Sequence, residues 1–390
     1  MTDPSDTKTA IAAAQPAFSD ADLAEILPAV ERVLRSGRLI LGEETEAFES
    51  AFRDYIGVEH AVAVSSCSAA LQIALRFFRA EGREVILPAN NFPGVVSAIL
   101  YEGGVPVLAE MDPVTFCIDA EDAVSRITPR TAGMIIVHLA GLVVPEIDRL
   151  REVCQERGLF LIEDAAHAHG AAIGGRRAGA LADAACFSFY PTKIMTTGTG
   201  GMITTNNPQL AGHARLLRHH GQGGRRNEFI ELGSNWCMSE IHAALGLHEL
   251  ARLDERVAHR NRVVEWYRED LAAADWISIP RYAAELQHAY YKLPAILAED
   301  VDRDQLRRTL EQDERIENGT IYDPPCHLQP AFRERLGLGV GAFPVTERAL
   351  ARQLCPPVHA MITREQVRHV VETMSKLVDR CRRANRTGGA

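Results

Sequence analysis

Between His60 and Thr205 the sequence alternates short apolar runs with segments of helical spacing, and nothing else in the chain constrains the fold so tightly. AVAV (61–64) leads into 69–79, EVIL (84–87) into 95–101, and VPVLAE (105–110) into 121–127. MIIVHL (134–139) then leads into 147–157, and LFLIED (159–164) follows. Strands this apolar on both faces must be covered on both, which makes the fold class α/β with a mostly parallel sheet between helices. Two further strands, 185–189 and 201–205, are close enough in sequence to form a hairpin.

Upstream, 18–36 carries Leu23, Ile26, Leu27, Val30, Val33 and Leu34 at helical spacing, with Ser19 placed to cap it. A second helical pattern, 43–55, sets Phe48 and Phe52 four apart. A long helical stretch from about 238 to 271, broken once, holds the expected domain boundary. The chain thus divides into a disordered lead-in (1–14), a large ligand-binding domain (15–255) and a smaller C-terminal α/β domain (256–390). In the latter, a strand at 290–297, a helix at 303–311 and a last helix from 364 are expected.

The chemistry concentrates in ACFSFYPTKIMTTGTGGM (185–202), where a strand ends in Ser188 and Lys193 follows in a stretch with few other charges. Desolvation there lowers a lysine pKa and leaves a nucleophilic amine. The chain has only a few other lysines, none in such a neighbourhood. LFLIEDAAHAHG delivers two carboxylates at a strand end, and strand alternation lets only one of Glu163 and Asp164 face a ligand. A lysine, an aspartate and an anion site are what pyridoxal phosphate requires for its Schiff base, pyridine nitrogen and phosphate. Lys193 and Asp164 take the first two roles. Ser65, Ser66, Cys67 and Ser68, between a strand and a helix, and Ser188 offer the third, since a helix start presents free N–H groups to an anion. Phe92, after the next strand, is placed to stack on the cofactor ring. His167 and His169 are placed either to touch the ring's phenolic oxygen or to sit satisfied in a helix after the strand, and their spacing of two argues against a metal pair. His327, in PCHLQP, and Tyr322 are the candidates for substrate contact, each weighed against a packing role.

Composition sets outer bounds. A net charge of −10 lacks the basic stripe of a nucleic-acid binder. The eight cysteines form no CxxC pair, so neither a zinc site nor a disulfide framework is indicated. No apolar run is long enough to span a bilayer, and the polar N-terminus lacks the order of a signal peptide. A cytoplasmic enzyme is expected.

EDAAHAHGA from Glu163, FSFYPTK from Phe187 and LGSNWCMSEIHAALG from Leu232 resemble the DegT/DnrJ/EryC1/StrS family of sugar aminotransferases, within fold-type I pyridoxal-phosphate enzymes. The similarity covers nearly the whole chain, from SGRLILGEETEAFE (36–49) to FPVTERALARQLCPPVH (343–359). It implies Lys193 as the Schiff-base lysine, Asp164 as the pyridinium partner, His167 beside the phenolic oxygen and Phe92 as the stacking ring. Ser188 and the loop Ser66, Cys67 and Ser68 would hold the phosphate. Asn235 would reach the phosphate of a neighbouring subunit, making a homodimer with shared active sites. Glutamate or glutamine would donate the amino group to a keto sugar, with a nucleotide-linked keto-deoxysugar ranked first and a free keto-cyclitol or keto sugar second. Cys67, Asn91, Thr199 and Cys237 depart from the family's usual residues. A dehydratase or aromatising enzyme on the same scaffold is the alternative reaction, although family dehydratases replace the lysine that Lys193 retains. A non-enzymatic regulator would have no need of Lys193 together with Asp164.

Overall fold

The computed structural model describes residues 10–225 and 227–387. Two helices open the fold, α1 (Asp20–Ser36) and α2 (Glu43–Ile56). Ser19 caps α1 in a reciprocal box with Asp22, and Gly37 ends it in the left-handed conformation that glycine adopts without strain. No side chain of its own start caps α2. Instead Glu240, at the beginning of a distant helix, accepts from the backbone N–H groups of Gly42, Glu44 and Thr45. That one buried carboxylate ties the N-terminal pair to the rest of the domain.

The alternating region folds as expected: β1 (His60–Val64), α3 (Cys67–Phe77), β2 (Glu84–Pro88), α4 (Pro93–Tyr101), β3 (Val105–Ala109), α5 (Ala120–Ser125), β4 (Thr131–Val137), α6 (Ile147–Arg157) and β5 (Phe160–Asp164). A small hairpin, β6 (Ala172–Ile173) and β7 (Arg176–Arg177), precedes β8 (Ala184–Ser188) and β9 (Gly201–Thr205). The main sheet has seven strands in the order β1-β9-β8-β5-β4-β2-β3. Only β9 runs against its neighbours, pairing antiparallel with both β1 and β8. The loop joining β8 to β9 carries Lys193.

Strand alternation divides the interior. On β8, Ala185 and Phe187 join one core with Phe48, Phe52 and Phe189, while Ala184 and Cys186 join the opposite core with Leu75, Ile99 and Ile162. Phe52 meets Phe187 edge-on at 4.9 Å and Phe189 at 5.6 Å, so α2 is keyed to the sheet by aromatic contacts.

After β9 come α7 (Pro208–Leu217), α8 (Glu240–Ala251) and α9 (Leu253–Asp270), the expected break falling at Arg252. The C-terminal part holds β10 (Ile277–Ser278), β11 (Leu286–Gln287), β12 (Ala295–Leu297), α10 (Arg303–Gln312), α11 (Pro330–Leu336), α12 (Pro344–Ala351), β13 (Gln353–Leu354) and α13 (Arg364–Thr387). Among the described residues no helix is long and apolar enough to cross a membrane.

The boundary expected within the long helical stretch, at 255/256, lies inside α9, whose Leu253 and Val257 pack in the large core and whose Val263, Val264 and Tyr267 pack in the small one. The structure revises two other expectations. Of the supposed disordered lead-in, residues 1–9 lie outside the described residues, but Ile11 is buried in the small core and pairs with Ile316. A strand over 290–297 shrinks to Ala295–Leu297. The segment before it bends back across the main sheet, for a reason that appears at the site.

Candidate active site

In an open α/β sheet, ligands bind beyond the carboxyl ends of the strands, where loops part to opposite faces. There β5 ends in Asp164 and β8 in Ser188, around a cavity of about 460 Å³. Its lining brings together Ser66, Cys67, Ser68, Phe92, Asp164, His167, Ser188, Lys193 and Tyr322, residues spread across more than two hundred positions of sequence.

The two strand-end carboxylates separate as alternation requires. Glu163 points into the protein on the far face and is fully satisfied. It accepts from Gly179, Leu181 and Ala182 backbone N–H groups and meets His138 Nε2 at 2.7 Å. Since His138 Nδ1 accepts the Val144 N–H, Nε2 carries the proton and donates it to Glu163. Asp164 instead faces the cavity. It is buried, and it accepts from the Ala166 N–H at 3.0 Å and the Cys67 thiol at 3.9 Å. Burial raises its pKa above the ordinary carboxylate range, only partly opposed by the Ala166 hydrogen bond and the nearby Lys193 charge. A buried carboxylate so thinly partnered is a receptor for a cationic N–H.

Lys193 hangs from the β8–β9 loop with its Nζ 4.6 Å from the centre of the Tyr291 ring. Tyr291 also stacks on His167 at 4.3 Å, and its hydroxyl lies 3.2 Å from the Thr192 Oγ1. Burial alone would raise the Tyr291 pKa, but the charges of Lys193 and Lys292 lower it below the usual phenol value. His167 is buried, and desolvation together with Lys193 lowers its pKa well below the usual value, so its ring is neutral. Its Nε2 meets the Tyr322 hydroxyl at 2.9 Å, whereas its Nδ1 has no hydrogen-bond partner among the described residues.

The serine-rich loop at the cavity wall is a helix start. Ser66 caps α3 through the Ala69 N–H, and Cys67 and Ser68 open the helix at the cavity wall. Gly201 on β9 passes so near that a Cβ there would lie 2.7 Å from the Cys67 nitrogen, so glycine is required for this approach.

Sequence reasoning missed Tyr291, along with Tyr190 and Thr192 of the lining. The Tyr291 loop is what displaces the expected strand. Buried Arg260 donates to the carbonyls of Tyr290 and Val358 at 3.1 and 2.9 Å, and Tyr290 sits at φ +47. Gly141, itself at φ +98, lies beneath, where a Cβ would stand 3.1 Å from the nitrogens of both Tyr290 and Tyr291. The aromatic doublet in HAYYKLP was the available signal, but period-two patterning there reads equally as strand.

Other expectations change. Phe92 reaches the cavity only at its mouth, 54% exposed and tilted against Tyr322 at 5.8 Å. No helix follows β5, so His167 and His169 sit on successive turns, and His169 is packed away against Phe187 and Phe189. His327 is a correction: it lies outside the cavity, fully buried, with Nε2 2.9 Å from Glu347 and its ring against Phe343. Filling core space next to α12 is its role. Asn235 does not line this chain's cavity; it is exposed on the loop before α8.

The description "DegT/DnrJ/EryC1/StrS aminotransferase family" belongs to the family model that matches residues 20–375. The chain is 37% identical to GDP-perosamine synthase of Caulobacter vibrioides, over 85% of this chain and 89% of that protein. It is 35% identical to the dTDP-3-amino-3,4,6-trideoxy-alpha-D-glucose transaminase of Streptomyces venezuelae, over 92% and 93%. Among solved structures, S. venezuelae DesV in complex with a ketimine intermediate matches with a TM-score of 0.86 and 34% identity, covering 92% of this chain and 95% of that one. With Lys193 and Asp164 facing one cavity, the chain belongs to the DegT/DnrJ/EryC1/StrS aminotransferase family and is an aminotransferase.

Proposed function

We propose that this aminotransferase holds pyridoxal phosphate in the Asp164–Lys193 cavity and moves an amino group from glutamate or glutamine to a ketone on a nucleotide-linked deoxysugar. The observation that carries this reading is the convergence of a buried carboxylate with raised pKa, a lysine on a flanking loop and a helix start on one cavity. The cofactor, when bound, supplies an electron sink and carries the amino group between the two substrates. The α3 start, with the hydroxyls of Ser66, Ser68 and Ser188, receives the phosphate. Asp164 keeps the pyridine nitrogen protonated, and that positive partner offsets the burial cost the carboxylate bears alone. The Lys193 amine would move the proton at the substrate carbon. His167 would stand beside the ring oxygen, and Phe92 would close the cavity mouth.

The names of the relatives favour a nucleotide-linked acceptor, and the cavity mouth supports it. Phe92 and Tyr190, both more than half exposed, flank the opening and offer apolar faces to a sugar ring. Asn235 would complete the phosphate site of a partner subunit. The test is spectroscopic. Protein supplied with pyridoxal phosphate should be yellow, glutamate or glutamine should bleach the visible band, and a keto acceptor should restore it. Failure of both donors to bleach it would overturn the reading. A panel of nucleotide-linked keto sugars and free inososes then ranks the acceptors by rate of recovery.

A further inference from the structure

His167 is neutral and buried, so its ring carries one N–H, and which nitrogen bears it decides whether the free nitrogen is a donor or an acceptor. The ring stacks on Tyr291 at an interplanar angle of 24°, which holds its plane. One nitrogen, Nε2, is engaged by the Tyr322 hydroxyl at 2.9 Å. The other, Nδ1, is buried with no partner among the described residues. Tyr322 is itself fixed: its backbone N–H donates to Asn90 Oδ1 at 2.7 Å, and that of Ile321 donates to Gln353 Oε1 at 2.9 Å. Its phenol keeps its proton, because burial raises the pKa well above the ordinary value.

A protonated phenol facing a neutral imidazole nitrogen donates to it, the phenol being the stronger acid and the bare imidazole nitrogen the stronger base. We propose that Tyr322 is a positioning residue that locks His167, a residue of the cavity lining, in the Nδ1–H tautomer. The neutral histidine side chain in water prefers the opposite form, with the proton on Nε2. The hydroxyl of Tyr322 therefore imposes the less favoured tautomer and leaves a buried N–H donor with no acceptor among the described residues. The tautomer follows from the Tyr322 contact; that the donor serves pyridoxal phosphate rests on the function proposed above.

The experiment reads the tautomer directly. Protein labelled with nitrogen-15 at histidine, freed of cofactor, is examined by long-range proton–nitrogen correlation, with His167 assigned by its loss in His167→Gln. The expected result is a protonated Nδ1 and an unprotonated Nε2 in the wild type. In Tyr322→Phe, which keeps the ring and removes the hydroxyl, the proton should move to Nε2. A wild-type His167 protonated at Nε2 would overturn the proposal even if the variant failed to fold, as would an unchanged tautomer in a folded variant. Because no cofactor is present, this result is independent of the aminotransferase test. Wild-type protein with the Nδ1–H form that took up no pyridoxal phosphate would support the tautomer and sink the functional reading.

Discussion

At the scale of single residues, two adjacent carboxylates do unlike work, and substitution should separate them. Glu163 satisfies three backbone N–H groups and His138, so Glu163→Ala leaves four buried donors without an acceptor. A loss of about 3 kcal/mol in unfolding free energy is expected, measured by denaturant titration. Asp164→Asn should do the reverse. With its folded pKa raised by burial, Asp164 weakens the cofactor-free protein at neutral pH. The sign follows from linkage. Below the unfolded carboxylate pKa the group is protonated in both states and costs nothing; as pH rises through the folded value, the charged form penalises the folded state. Cofactor-free Asp164→Asn should therefore melt higher than wild type at pH 7, and the difference should vanish as pH falls into the ordinary carboxylate range. In the cofactor-loaded protein the same change removes a charge-assisted hydrogen bond worth about 1.5–3 kcal/mol, and kcat should fall about 10- to 100-fold. A variant no more stable without cofactor would show that Asp164 bears no burial cost.

At the scale of elements, the site depends on how closely β9 and α3 approach. Gly201→Ala would drive a methyl group into the backbone at Ser66 and Cys67, and overpacking of this kind costs about 1–3 kcal/mol. Since the displaced backbone is the α3 start, pyridoxal phosphate affinity, read by equilibrium absorbance titration, should fall with it. Legibility in the sequence followed the same division. Most strands of the main sheet were readable because they are buried apolar runs, β3 at the edge being buried only at Leu108 and Ala109, and Lys193 and Asp164 were readable because strand ends fix their direction. Tyr291 was not readable. Its place depends on a left-handed residue at 290, a glycine at 141 and an arginine at 260, three separate loops and helices that no periodicity links. His327 stayed open between substrate contact and packing for a related reason: its partner Glu347 lies on a helix whose packing only the folded chain reveals.

At the scale of the whole molecule, Phe229, Ile230 and Leu232 are exposed beside Asn235 on the segment between α7 and α8. Under the shared-site proposal this segment packs on a second copy, and light scattering should give twice the chain mass of 42.9 kDa. Lys193→Ala and Asn235→Ala chains should each be impaired alone, Asn235→Ala through weaker cofactor binding. Mixed and refolded together, they should regain activity, because a heterodimer then holds one site with both residues. Absence of recovery would place both residues in sites built from a single chain.

The central claim is a covalent bond at one position, and reductive trapping tests it most directly. Lysine is scarce, occurring only at Lys8, Lys193, Lys292 and Lys376, so a label is easily located. Protein loaded with pyridoxal phosphate, reduced with borohydride and digested should carry the pyridoxyl mass on the peptide containing Lys193, with that peptide unlabelled in Lys193→Ala. A label on Lys292 or Lys376 instead, or none on any lysine, would contradict the account.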